Sequence, residues 1–248
     1  MGWYSVAKAT FYPASQFELN SDRVAVVLQP GRFGCHIGLA YHGLGERPSL
    51  LHFRWHKQIC TEPFPRPAGK QIVSQCALPR LCAKHVVAIL RCISSTDPKI
   101  AYGFDITTRH MFDRHGAYLR AKARGGLTCA TFVVEVFRAI SIRILDEKSW
   151  PSRTEDIAWR DNVCQLLSRS ESIDVVKKVG HSFTGKRLRP EEVAYAAAFC
   201  SAPAMHSRHA RLGGAEIAAH LNKQSLHGLA APLSLPFPVD TRGDNGLP

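Results

Sequence analysis

Gly125-Gly126-Leu127-Thr128-Cys129-Ala130-Thr131-Phe132-Val133 is the stretch on which the reading of this chain turns. The two glycines supply a turn, and Phe132, Val133, Val136, Phe137 and Ile140 then recur as one apolar stripe at helical spacing. The run is rich enough in Val and Phe for a strand. The glycine pair and a Thr128 N-cap favour an amphipathic helix over 129–140 instead. A cysteine in the first turn of a helix is chemically set apart. The helix dipole favours its thiolate, and a neighbouring imidazolium would lower its pKa further.

An imidazole is available upstream. His36 opens His36-Ile37-Gly38-Leu39-Ala40-Tyr41, read as a strand over 36–42. Gly43-Leu44-Gly45-Glu46-Arg47-Pro48 supplies the turn, and 50–56 is a third strand, so 36–56 forms a β-hairpin behind a buried strand at 24–29. If the open end of the hairpin packs on the start of the 129–140 helix, Cys129 and His36 become nucleophile and base. Backbone N–H groups at that helix start then face an oxyanion. A third group must fix the base. His52 and His56 share one strand face by the period of two. A loop centred on Leu44 favours His52 and one centred on Glu46 favours His56; geometry leaves both open. Cys35 alternates to the face opposite His36 and is expected in the core.

His36-x-Gly38, followed after a loop by Leu50-Leu51-His52-Phe53, resembles the NlpC-type cell-wall peptidases, whose base strand reads H-V/I-G-I/L-Y and whose next strand ends near V/I-H-A. The His strand precedes the cysteine here, as in the circularly permuted branch that includes lecithin retinol acyltransferase-like and YiiX-like proteins. The permuted nucleophile segment C-x-x-F-V is matched by Cys129-Ala130-Thr131-Phe132-Val133. The resemblance covers about residues 24–140. It implies an α+β, papain-like (permuted NlpC-type) fold, a small antiparallel β-sheet packed on the nucleophile helix with added C-terminal helices. It also implies Cys129 as nucleophile, His36 as base and His52 as orienting group, acting on cell-wall peptide or another isopeptide-like amide. The Asn-Cys-Glu-His-Phe-Val box of the acyltransferase subfamily is absent, which argues against phospholipid or retinoid transfer. The alternatives are a thiol acyltransferase or protein-directed protease with the same triad, and a non-enzymatic binding module.

Around this core, a Pro-rich loop is expected at 61–68, a strand near 71–76 and helices at 80–94, 154–168 and 190–200. Leu81, Val86, Ile89, Leu90 and Ile93 mark the first, Thr154 caps the second, and Pro190 opens the third. Residues 1–200 are read as one domain, with helical additions over 150–200. Residues 201–248, rich in Ala, His, Gly, Leu and Pro with a short helix at 214–224, are read as a peripheral extension.

The 248 residues are 45% hydrophobic and 21% charged, the balance of a soluble globular protein, and no apolar run reaches the roughly 20 residues of a membrane helix. Met1–Lys8 lacks a signal-peptide layout, so synthesis in the cytoplasm is expected, with a signal-less export route open. None of the eight cysteines forms a C-x2-C pair, and most are expected reduced. His206-x-x-His209 and His110-x4-His115 lack further ligands at matching spacing, so no metal and no cofactor are assigned. A net charge of +12 suits an acidic partner or anionic surface. Its local groups, Arg120, Lys122, Arg124 and Lys186, Arg187, Arg189, come without a nucleic-acid motif.

Overall fold

The computed structural model describes residues 8–31, 34–43, 47–66, 70–106, 110–119, 125–200, 203–227 and 232–236. Within them, β1 (Lys8–Pro13), β2 (Ala25–Gly31), β3 (Gly34–His42), β4 (Pro48–Trp55), β5 (Gln58–Pro63) and β6 (Ile72–Gln75) precede α1 (Arg80–Thr96) and α2 (Cys129–Ala139). Next come α3 (Glu155–Leu167), α4 (Ile173–His181), α5 (Pro190–Ala198), α6 (Ser207–His227) and β7 (Leu233–Pro236). The architecture is α+β: a seven-stranded antiparallel sheet in the order β5-β4-β3-β2-β6-β1-β7, with six α-helices among the described residues. No helix among those residues is long and apolar enough to cross a membrane.

Strand alternation divides the core in two. Val26, Leu28, Ile37, Leu39, Tyr41, Leu51 and Phe53 join the large cluster that contains α1, α2 and α5. Ala25, Val27, Ala40 and Leu50 face the other way, where Ala14, Leu19 and Phe64 cover them. α2 packs on β3 and β4, and α5 on β2 and β3. Enclosed by sheet, α1 and α5, α2 is buried on every side rather than along one stripe; even Glu135 and Arg138 are buried, paired with each other. α1 buries Val86, Ile89, Leu90 and Ile93, each worth about 1.5–3 kcal/mol, but its first-turn Leu81 is 82% exposed.

Three expectations change. Thr154 precedes α3 but makes no side-chain cap hydrogen bond. Pro63 ends a strand, β5, in place of a loop beginning at 61. The chain after 203 is part of the same body over its described residues. α6 packs on α5 through Ala210, Ile217 and Leu221, and β7 pairs with β1, where the Tyr195 hydroxyl donates to the Pro236 carbonyl. Arg120, Lys122, Arg124, Met1–Ala7 and residues 237–248 lie outside the described residues.

Candidate active site

The glycine turn is pinned before the helix starts. Gly125 has φ +97°, and a Cβ on Gly126 would fall 2.3 Å from the Ala101 carbonyl oxygen. Leu127 N–H donates to Ala101 O at 2.9 Å, and Gly103 N–H donates to Leu127 O at 3.2 Å. Only glycine allows this backbone-on-backbone approach. Thr128 then caps α2 reciprocally: its Oγ1 accepts from Thr131 N–H at 3.1 Å, and Thr131 Oγ1 accepts from Thr128 N–H at 2.7 Å. Of the unpaired N–H groups of the first turn, that of Ala130 reaches the Cys129 sulfur. The N–H of Cys129 itself has no partner among the described residues.

Cys129 meets the sheet where two strands part. The β3–β4 pairing runs from His42↔Pro48 to Leu39↔Leu51, whereas β4 stays paired with β5 as far as Trp55. Past Leu39 a cavity of about 220 Å³ opens. Cys35 and His36 of β3, Phe53 and Trp55 of β4, Tyr102, Cys129 and Arg187 line it. The sulfur of Cys129 takes the backbone N–H of Ile37, the peptide next to His36.

The two histidines span the same split. Continuing the register sets Gly38 across from His52, and His36 diagonal to it. A Cβ on Gly38 would lie 2.8 Å from His52 Cβ, so the glycine is the space through which the rings meet. His36 Nε2 and His52 Nδ1 are 2.7 Å apart, with the rings edge to face. The pairing is centred midway between the two loops expected for direct opposition, and His52 is reached diagonally.

A carboxylate lies behind them. Glu62 of β5 has Oε1 3.6 Å from His52 Nε2 and 2.8 Å from Arg66 Nη2. A carboxylate facing Nε2 favours a proton there, so we assign Nδ1 of His52 as acceptor and Nε2–H of His36 as donor. Nδ1 of His36 is thereby the nitrogen that holds a lone pair. Burial, and for His36 also His52, push both imidazoles down to about 4, so both are neutral near pH 7.

Two expectations about the pair are corrected. Cys129 packs in the α2 cluster together with Cys35, while His36 shares its strand face with Gly38 and Ala40. The thiol therefore approaches the β3 backbone at Ile37, and no hydrogen bond joins it to His36 among the described residues. Nor is it a resting thiolate. Burial raises it to about 11, outweighing the Ile37 and Ala130 N–H groups and Arg187. Cys35 is half-buried where the α2 cluster meets the cavity wall, beside Glu191, and is pushed up to about 12 by burial.

His56 lies elsewhere. β4 ends at Trp55 after a register shift, so the alternation that would align His56 with His52 is broken. Its Nδ1 accepts the Tyr102 N–H at 3.1 Å and its Nε2 faces Glu171 at 3.7 Å. It buttresses the segment against which the glycine turn is laid. Arg187 and Arg189, expected in a basic surface group, belong instead to an ion-pair cluster around the fully buried Asp156. No family model, curated protein or solved structure matches this chain.

Proposed function

We propose that the chain is a cysteine-dependent acyl-transfer enzyme of permuted papain-like fold that hydrolyses an amide. Cys129 is the nucleophile, His36 the base, His52 the group that orients it, and Glu62 the carboxylate whose charge, 3.6 Å from His52 Nε2, favours a proton there. The observation that carries the reading is the 2.7 Å His36–His52 bond across the β3–β4 split, beside a cavity that Cys129 also lines. The order of parts, His strand before Cys helix, agrees with the permuted NlpC-type pattern.

A neutral thiol and a neutral imidazole call for general-base attack rather than a preformed ion pair. As Sγ bonds to the carbonyl carbon, its proton passes to His36 Nδ1 by way of a water in the cavity that both residues line, and the Cys129 N–H receives the oxyanion. Collapse breaks the C–N bond, and His36 returns the proton to the departing amine. Water then attacks the thioester, releasing a carboxylate and the free thiol. An amine in place of water gives acyl transfer.

Exposure to 4-nitrophenyl acetate tests this without knowledge of the substrate. The expected result is a thioester on Cys129, located by peptide mass mapping, absent in Cys129→Ala and formed far more slowly in His36→Ala. Nitrophenol release with no adduct on Cys129 overturns it. The raised thiol pKa favours one second reading, a papain-like scaffold that only binds; a biological effect undiminished in Cys129→Ala would establish that instead. Wall stem peptides and isopeptides, tried with and without an added amine, then separate hydrolase from transferase.

A further inference from the structure

Three guanidiniums surround Asp156, and they are not equally satisfied. Arg153 has Nε 3.3 Å from Asp156 Oδ2 and also holds both oxygens of Glu192, at 2.7 and 3.0 Å. Arg189 has Nη2 2.9 Å from Asp156 Oδ1 and 3.3 Å from Glu155 Oε1. Among the described residues, Arg187 pairs only with the already shared Asp156 Oδ1, at 3.6 Å from Nη1, beyond hydrogen-bond reach. Its Nε is buried without a hydrogen-bond partner among the described residues, as are those of Arg153 and Arg189, but those two place their Nη groups in hydrogen bonds and Arg187 places none. A buried donor in that state is costly unless something fills it.

The same guanidinium is held ready. It stacks on the Trp159 ring at 3.8 Å. Its backbone carbonyl accepts from Trp150 Nε1 at 3.1 Å and from Arg153 Nη2 at 2.8 Å, which fixes the segment independently of the side chain. Arg187 and Trp159 line the cavity of Cys129, with Trp55, Val163 and Leu166 supplying apolar wall. Glu191, the other carboxyl beside Arg187, has its pKa raised by burial.

The geometry points to Arg187 as the anchor for a carboxylate on the substrate of Cys129, an amide whose carbon skeleton lies on Trp159 and the apolar wall. This rests on the reading of Cys129 as the nucleophile. One planar fork with one shared counter-charge suits a monoanion. A phosphate dianion would meet Asp156, and Arg54, the other cation that lines the cavity, is exposed rather than buried beside Arg187.

Iodoacetate and iodoacetamide carry the test, being of one size and one leaving group and differing in a carboxylate against an amide. The ratio of their rates at Cys129 is expected to be about tenfold higher in the native protein than in the urea-unfolded chain, and to return to the unfolded value in Arg187→Gln. The same ratio in native protein and Arg187→Gln overturns the proposal. Should the variant not fold, the native protein suffices: benzoate protects Cys129 from iodoacetamide and benzamide does not, and equal protection by both overturns it. If neither reagent labels Cys129 even at the highest pH at which the protein stays folded, the nucleophile reading fails, and the anion site is decided by Trp159 fluorescence. A saturable response to benzoate, lost in Trp159→Phe and absent with benzamide, sustains the site; a response common to both compounds overturns it.

Discussion

His36 and His52 meet at 2.7 Å across the one place where β3 and β4 have separated, and Gly38 is what lets them. A side chain at 38 would collide with the Cβ of His52, the residue proposed to orient the base. The H-x-G pattern is thus a packing requirement of the histidine pair, with a measurable cost.

Gly38→Ala is expected to destabilise by about 1–3 kcal/mol, because its Cβ would meet His52 Cβ, Leu50 Cδ1 and Leu51 O all at 2.8 Å. Acylation of Cys129 should fall with it as His52 is displaced. Thermal melts and the acetate assay report the two effects. A variant with unchanged melting temperature and full activity would refute this account of the glycine.

Acid should weaken the fold through this pair. Both imidazoles are depressed from 6.5 to about 4 in the folded chain, so the unfolded chain binds protons first. Their contribution is complete above about 6.5 and is lost as pH falls through about 4. Urea midpoints measured over that window should drop more steeply for the native protein than for His36→Asn/His52→Asn. Parallel curves would mean that the pair is not buried neutral.

Cys129 should resist alkylation at neutral pH and gain reactivity as pH climbs towards about 11. Labelling that levels off below the ordinary thiol value of about 8.5 would show that a positive neighbour, and not burial, governs the sulfur.

Glu62→Gln removes the carboxylate that fixes the His52 tautomer while keeping its shape. Acylation is expected to fall roughly tenfold, with the melting temperature nearly unchanged because Glu62 is partly exposed and its other partner is the exposed Arg66. The His52 Nε2–H resonance should move in the same variant. Retained activity with an unmoved resonance would remove Glu62 from the site.

Much of the fold was legible because period and punctuation agreed. The apolar run at 24–29, the hairpin and the Gly-Gly-Leu-Thr entry to α2 are each an element of the structure, although β2 runs on through Pro30 and Gly31. β5 was hidden because Gln58–Pro63 has weak alternation and a terminal proline, and Glu62 was hidden with it. β1, paired between β6 and β7, and β7 at the sheet edge are strands that only tertiary contact creates. His36 and His52 were legible as residue types. Their diagonal meeting depended on a register that no local pattern fixes, and the sense in which α2 meets β3 depended on which strand face the helix buries.

The close seating of Gly126 on the 101–103 backbone has a practical consequence for measurement. A reporter group attached at Cys129 would stand on a base that cannot swivel, since the turn before it has no room to shift. Its tumbling would register the wall built by Trp159, Arg187 and Leu188, and a ligand that draws that wall inward would be seen as a slowed signal at the thiol.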